Sequence, residues 1–182
     1  MNITVYLGSS SGNDSVFEDA AREMAHVIVR GGHTMVYGGC STGMMGIAAR
    51  GVLAGGGRVV GIMPRFLTRR EPAQQGLTEL HMVDTMTERK EKMIELGDAF
   101  VALPGGPGTL EEISEVVSDM KLFDVGVRPD VAPGGCVFYS RNGFYAPLQA
   151  QLRIMCAQGF TSESLLARIR FPQTPRELAA CF

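Results

Sequence analysis

Three short segments carry the residue types from which a reactive site could be built. Residues 104–109 read PGGPGT and run into Glu111 and Glu112; residues 38–43 read GGCSTG; residues 9–12 read SSSG. Glycines at a strand-to-helix turn let backbone N–H groups approach an anion, and the following helix adds the partial positive charge of its N-terminus. Phosphate is the natural ligand of such loops, and Gly39 and Gly43 are candidates for that contact. The other reading of the 38–43 loop is that its glycines only permit a tight turn and close helix packing. Glu112, in the first turn of the helix after PGGPGT, suits orienting a water or stabilising a cationic sugar. The residues alone leave that open too, because Thr109 and Glu112 have the spacing of a capping box. Arg89 and Lys90 are the nearest candidate cations, in a helix whose alternating charges would equally suit a solvated face.

Better-known phosphate fingerprints are missing. Gly43 is followed by Met44 rather than a P-loop lysine, the first strand lacks GxGxxG, and the second ends in Tyr37, Gly38 and Gly39 with no acidic residue for a dinucleotide's ribose. A monophosphate therefore fits better than a triphosphate or NAD. His26, His33 and His81 have no partners at catalytic or metal spacing and read as structural or surface residues.

These loops need a frame. Apolar, extended runs at residues 3–7, 34–37, 59–63, 80–83, 99–103 and 136–139 alternate with helical periodicity at 15–30, 44–54, 86–96, 109–123 and 145–158, with short pieces near Ile169 and Arg176. Capping boxes are expected at Ser15/Glu18 and Thr85/Glu88, and Gly31 and Gly32 end the first helix. In the helix over 109–123, Leu110, Ile113, Val117 and Met120 are expected to face the core. Loops are expected at 129–135 and after Pro64, the latter long enough to be a substrate loop. Such alternation predicts an α/β protein, a Rossmann-like doubly wound parallel sheet in a single domain spanning residues 1–182. Ligands of such sheets bind beyond the carboxyl ends of the strands, where all three loops fall.

Composition narrows the partners. The chain has 182 residues, 45% of them hydrophobic, and its 17 basic and 19 acidic residues give a formal net charge of -2 without a block of one sign. Nucleic acid and membrane surfaces are disfavoured. No run approaches the ~20 apolar residues of a membrane span. Cys40, Cys136, Cys156 and Cys181 show neither a CxxC pair nor zinc spacing, so a reduced, cytoplasmic protein without a metal is expected.

Residues 86–93, MTERKEKM, followed by residues 98–112, DAFVALPGGPGTLEE, closely resemble a family signature, MHERKxxM then DAFxALPGGxGTxxE. The chain is identified as resembling the LONELY GUY family of cytokinin riboside 5′-monophosphate phosphoribohydrolases, whose members are often labelled lysine decarboxylases. The likeness runs from residue 5 to about residue 123, through VYLGSSSG and the YGG-xxx-GxMG loop. It implies hydrolysis of the N-glycosidic bond of a nucleoside 5′-monophosphate, with Arg89 and Glu112 as the catalytic pair. It also implies that Gly105, Gly106, Gly108 and Thr109 hold the 5′-phosphate, that the loop from Ser9 lines the nucleotide site, and that the protein is a homodimer needing no cofactor. Lys90 joins these as a candidate substrate-binding residue. The pattern is departed from at Thr87, where the signature has His; at Cys40, where it has Gly; and at Asp119 and Lys121, where it has Trp and Gln. Two rivals are a non-catalytic nucleotide-binding module on the same fold and a pyridoxal-phosphate decarboxylase, for which no lysine lies in a recognisable context.

Overall fold

The computed structural model describes residues 1–124 and 135–182, and most of the loop expected at 129–135 lies outside the described residues. β1 (Asn2–Tyr6), β2 (Thr34–Tyr37), β3 (Arg58–Pro64), β4 (Glu79–Val83), β5 (Ala99–Ala102), β6 (Cys136–Phe138) and β7 (Ile169–Arg170) form one sheet. Its order is β4-β3-β2-β1-β5-β6-β7 and every pairing is parallel. Between the strands run α1 (Ser15–Arg30), α2 (Gly43–Ala54), α3 (Met86–Leu96), α4 (Pro107–Asp124), α5 (Ala146–Ala157) and α6 (Glu163–Ala167), and α7 (Pro175–Ala179) follows β7.

Strand alternation sends successive side chains to opposite faces, and each face meets helices. Ile3 and Val5 of β1 join Met24 and Ile28 of α1 and Ala48 and Val52 of α2 in one buried cluster. Tyr6 joins Met93 of α3 with Ile113, Val116 and Met120 of α4 in the other. Even Thr4 is accommodated, its buried hydroxyl donating to the Met93 carbonyl at 2.9 Å. This is the doubly wound architecture expected. The chain winds outward in both directions from β1 and β5, which makes the gap between them the topological switch point.

Several local expectations are corrected. The N-cap of α1 is Asp14, whose carboxylate accepts from the Val16 N–H at 3.0 Å, so Ser15 lies inside the helix. α4 begins at Pro107, two residues before Thr109, and the Leu110 N–H already donates to the Gly106 carbonyl at 3.1 Å. Thr109 is thus the third residue of the helix and cannot be the cap of a Thr109/Glu112 box. That earlier start also fixes the helix phase: Leu110 is 43% exposed, and Val116 is buried beside Ile113 and Met120. At Thr85 the cap forms, with the Glu88 N–H donating to Thr85 Oγ1 at 3.1 Å, but the Glu88 carboxylate accepts from the Asp84 N–H at 2.9 Å, one residue before the Thr85 N–H a capping box uses.

Candidate active site

A cleft of about 400 Å³ opens at the switch point. Gly8 and Ser9 after β1 form one side of it, and residues 106–109 with Glu111 and Glu112 of α4 form the other. Arg89 and Met86 reach it from α3, while Phe66, Leu67 and Glu71 come from the long segment after β3. That segment is tied down by hydrogen bonds to the 38–43 loop: the Ser41 N–H donates to the Pro72 carbonyl and the Gln74 N–H to the Gly39 carbonyl, both at 2.9 Å. Larger hollows lie elsewhere. One of about 580 Å³ between α1 and α7 includes His33, just before β2, and so sits at the amino ends of the strands, away from the switch point.

Glu112 and Arg89 face each other in the cleft, Oε1 to Nη2 at 3.6 Å, with side chains only 10% and 8% exposed. That separation permits an ion pair but not a hydrogen bond, so the carboxylate keeps its lone pairs for other partners. Burial pushes the Glu112 carboxyl up to about 6; Arg89 and Lys90 pull it down, and Glu111 and Glu115 push it further up. A carboxyl group that exchanges its proton near neutral pH suits proton transfer. Among the described residues no acceptor reaches the buried Nε of Arg89. The buried Tyr6 phenol feels the pair, held well above its ordinary range by burial and then by Glu112.

The glycines divide by role. A Cβ built on Gly106 or Gly108 would meet nothing within 4 Å, so both line open space at the N-terminus of α4. A Cβ on Gly105 would lie 2.3 Å from Thr109 Oγ1, which shows the Thr109 side chain packed over that glycine. Gly105 and Gly106 also border a smaller neighbouring cavity of about 220 Å³, whose far wall includes Gly12, Phe17 and Phe144. Gly39 and Gly43 are not among the residues lining either space. Their φ angles of 80° and 55° are in the left-handed region, and Gly43 packs so closely on the Ser9 carbonyl that a Cβ would come within 2.2 Å of its oxygen. They shape the mouth rather than face it.

Lys90, expected to bind substrate, does not line the cleft. Its ammonium pairs with Glu111 at 2.5 Å and Glu115 at 2.9 Å, bridging α3 to α4, and these carboxylates raise it to about 12. Of the departures from the family pattern, Cys40 and Asp119 are buried, Thr87 is exposed, and exposed Lys121 donates to the Phe160 carbonyl at 3.5 Å. Sequence reasoning missed the apolar wall of Met45, Phe66, Leu67 and Met86. In a single sequence these read as core or loop residues, and only the fold brings Phe66 and Leu67, from the segment after β3, together with Met45 of α2 and Met86 of α3.

Fold and cleft together define a Rossmann-like protein with a nucleotide-sized site and a buried Glu–Arg pair at a glycine-rich helix N-terminus. The model of a family described as "possible lysine decarboxylase" matches residues 45–182. A cytokinin riboside 5′-monophosphate phosphoribohydrolase of Rhodococcoides fascians is 38% identical over 169 residues, 92% of this chain and 82% of the relative. The enzyme of that name, LOG, from Oryza sativa subsp. japonica is 38% identical over 176 residues, 97% of this chain and 70% of the relative. The chain belongs to this family, the one its motifs resemble. Among solved structures, a molybdenum cofactor binding protein from Rippkaea orientalis matches with a TM-score of 0.71 at 17% identity, covering 98% of this chain and 93% of that one. A Moco carrier protein from Chlamydomonas reinhardtii matches at 0.70 with 17% identity and the same coverage. At such identity the likeness is one of fold.

Proposed function

We propose that this protein hydrolyses the N-glycosidic bond of a nucleoside 5′-monophosphate, AMP or an N6-substituted AMP such as a cytokinin riboside monophosphate, to free base and ribose 5-phosphate. The observation that carries this reading is the buried Glu112–Arg89 pair beside the open glycine N-terminus of α4. In the reaction proposed, the 5′-phosphate lies against the free N–H groups of residues 108 and 109, where the helix end favours an anion. The sugar then faces Glu112. As the bond from C1′ to the base nitrogen breaks, its electron pair leaves with the base and the sugar acquires oxocarbenium character, which the Glu112 carboxylate stabilises. A water oriented by that carboxylate bonds to C1′ and gives Glu112 its proton; the departing base takes up a proton from solvent at nitrogen, and Glu112 returns its proton to solvent. Arg89, permanently charged, is a poor acid but keeps Glu112 ionised and offers donors to the substrate.

We further propose that the protein works as a homodimer in the cytoplasm. Four free cysteines suit a reducing compartment, and among the described residues no helix is long and apolar enough to cross a membrane. The test of function is chromatographic: incubate the protein with AMP, N6-substituted AMP, adenosine and ATP and measure free base. The monophosphates are expected to be cleaved, and adenosine and ATP poorly. Equal kcat/KM for adenosine and AMP would remove the phosphate cradle, and no release from any adenine nucleotide would favour a nucleotide-binding module without turnover.

A further inference from the structure

Gly38, the residue after β2, is packed in a way its own backbone does not require. Unlike Gly39 and Gly43 it does not have a positive φ, so its conformation is open to an ordinary L residue. The space is not. A Cβ on Gly38 would lie 1.9 Å from Nη2 of Arg89 and 2.8 Å from its Cζ, with Met45 Sδ next at 3.3 Å. The guanidinium of Arg89 therefore rests on the bare Cα of Gly38, and the same Nη2 is the atom that faces Glu112 at 3.6 Å. Arg89 enters from α3 and is 7% exposed.

We infer that Gly38 is a positioning residue: the missing side chain at the end of β2 is the slot that holds the Arg89 guanidinium beside Glu112. The role in turnover rests on the hydrolase reading above, whereas the slot itself does not. Atoms at the tip of a long side chain yield before a strand does, so an added methyl displaces the guanidinium and leaves the sheet intact. A displacement of an ångström or more in a catalytic constellation costs on the order of tenfold to a hundredfold in rate.

The test compares four proteins: the parent, Gly38→Ala, Arg89→Ala and the double variant. Each is followed by thermal melting, by kcat on AMP, and by the NMR titration of the Glu112 side-chain carboxyl. The other charges around that carboxyl, Lys90, Glu111 and Glu115, and the Tyr6 phenol are common to all four. Gly38→Ala is expected to lower kcat at least tenfold and to move the Glu112 titration upward by about one pH unit, the direction set by losing a neighbouring cation. On the Arg89→Ala background the same substitution is expected to change neither value, because the group it acts through is gone. If the two substitutions add independently, or if Gly38→Ala leaves the Glu112 titration where it was, the inference is overturned. If Gly38→Ala fails to fold while the double variant folds, the collision with Arg89 is the cause and the slot stands; if neither folds, the glycine serves the strand and the inference falls. A parent that releases no base from any nucleotide overturns the hydrolase reading, and the titration still decides the slot.

Discussion

Glu112 carries its charge where burial opposes it, and that cost is itself measurable. A carboxyl raised from 4.5 to about 6 in the folded protein binds its proton more tightly folded than unfolded. Its contribution to stability is therefore fully present below the unfolded value of about 4.5 and is lost as pH rises through about 6, a loss of about 2 kcal/mol. The stability of the parent minus that of Glu112→Gln should fall by about 1.5 kcal/mol of this between pH 4.5 and pH 6.5 in paired denaturant titrations; a flat difference would mean that the carboxyl is not buried as described. Catalysis moves the other way. If Glu112 stabilises the oxocarbenium ion, Glu112→Gln lowers kcat on the order of a hundredfold with nucleotide affinity little changed. A helix cap would survive the change, since glutamine also caps, and α4 starts too early for Glu112 to be one. Near-full turnover in Glu112→Gln would remove it from the mechanism.

The N-terminus of α4 is the element on which the phosphate argument stands. Pro107 opens the helix with no N–H to offer, so the first free donors belong to Gly108 and Thr109. Gly108→Ala places a methyl group in open space on the cleft wall and replaces a poor helix former with the best one. It is expected to raise stability by about 0.5–1 kcal/mol and to raise KM for AMP severalfold, a combination that a merely structural glycine would not give. An unchanged KM would show that the phosphate does not lie there. The sequence made this helix legible but not its register, because the S/T-x-x-E spacing fits more than one frame and Pro107 was the stronger sign of where it begins. Gly39 and Gly43 look like Gly106 and Gly108 in the sequence. What separates them is whether φ is positive and what lies over the Cα, and neither is written in residue type. Lys90 shows the same limit: its carboxylate partners are 21 and 25 residues away on another helix, and charge alternation along α3 does not reveal them.

At the scale of the whole molecule, the succession of strands and helices along the chain was readable because each β/α unit announces its own period; the order of strands within the sheet, and with it the switch point between β1 and β5, came only from the structure. What covers the outside is less local. α5 fully buries none of its residues: Leu148 and Leu152 pack partly buried against the core, while Ile154 and Met155 are exposed. Ile154 is 54% exposed and Phe160, just beyond the helix, 76% exposed. The end of α4 lies alongside, since Lys121 donates to the Phe160 carbonyl, and Leu122 next to it is also exposed. Exposed large apolar groups on neighbouring elements, Leu122 beside Lys121 and Phe160 at its hydrogen-bond partner, are the kind of surface a protein contact covers. A second copy of the chain is the partner proposed, because a two-fold contact lets one such face meet its own equivalent. Light scattering at micromolar concentration should give twice the 19.6 kDa of the chain, and Phe160→Asp, or Met155→Glu where one charge is not enough, should halve it with little loss of melting temperature beyond that owed to dissociation. A parent that scatters as a monomer would leave this face without its partner and remove the dimer from the proposal, while a dimer that survives both substitutions would put the contact on another surface.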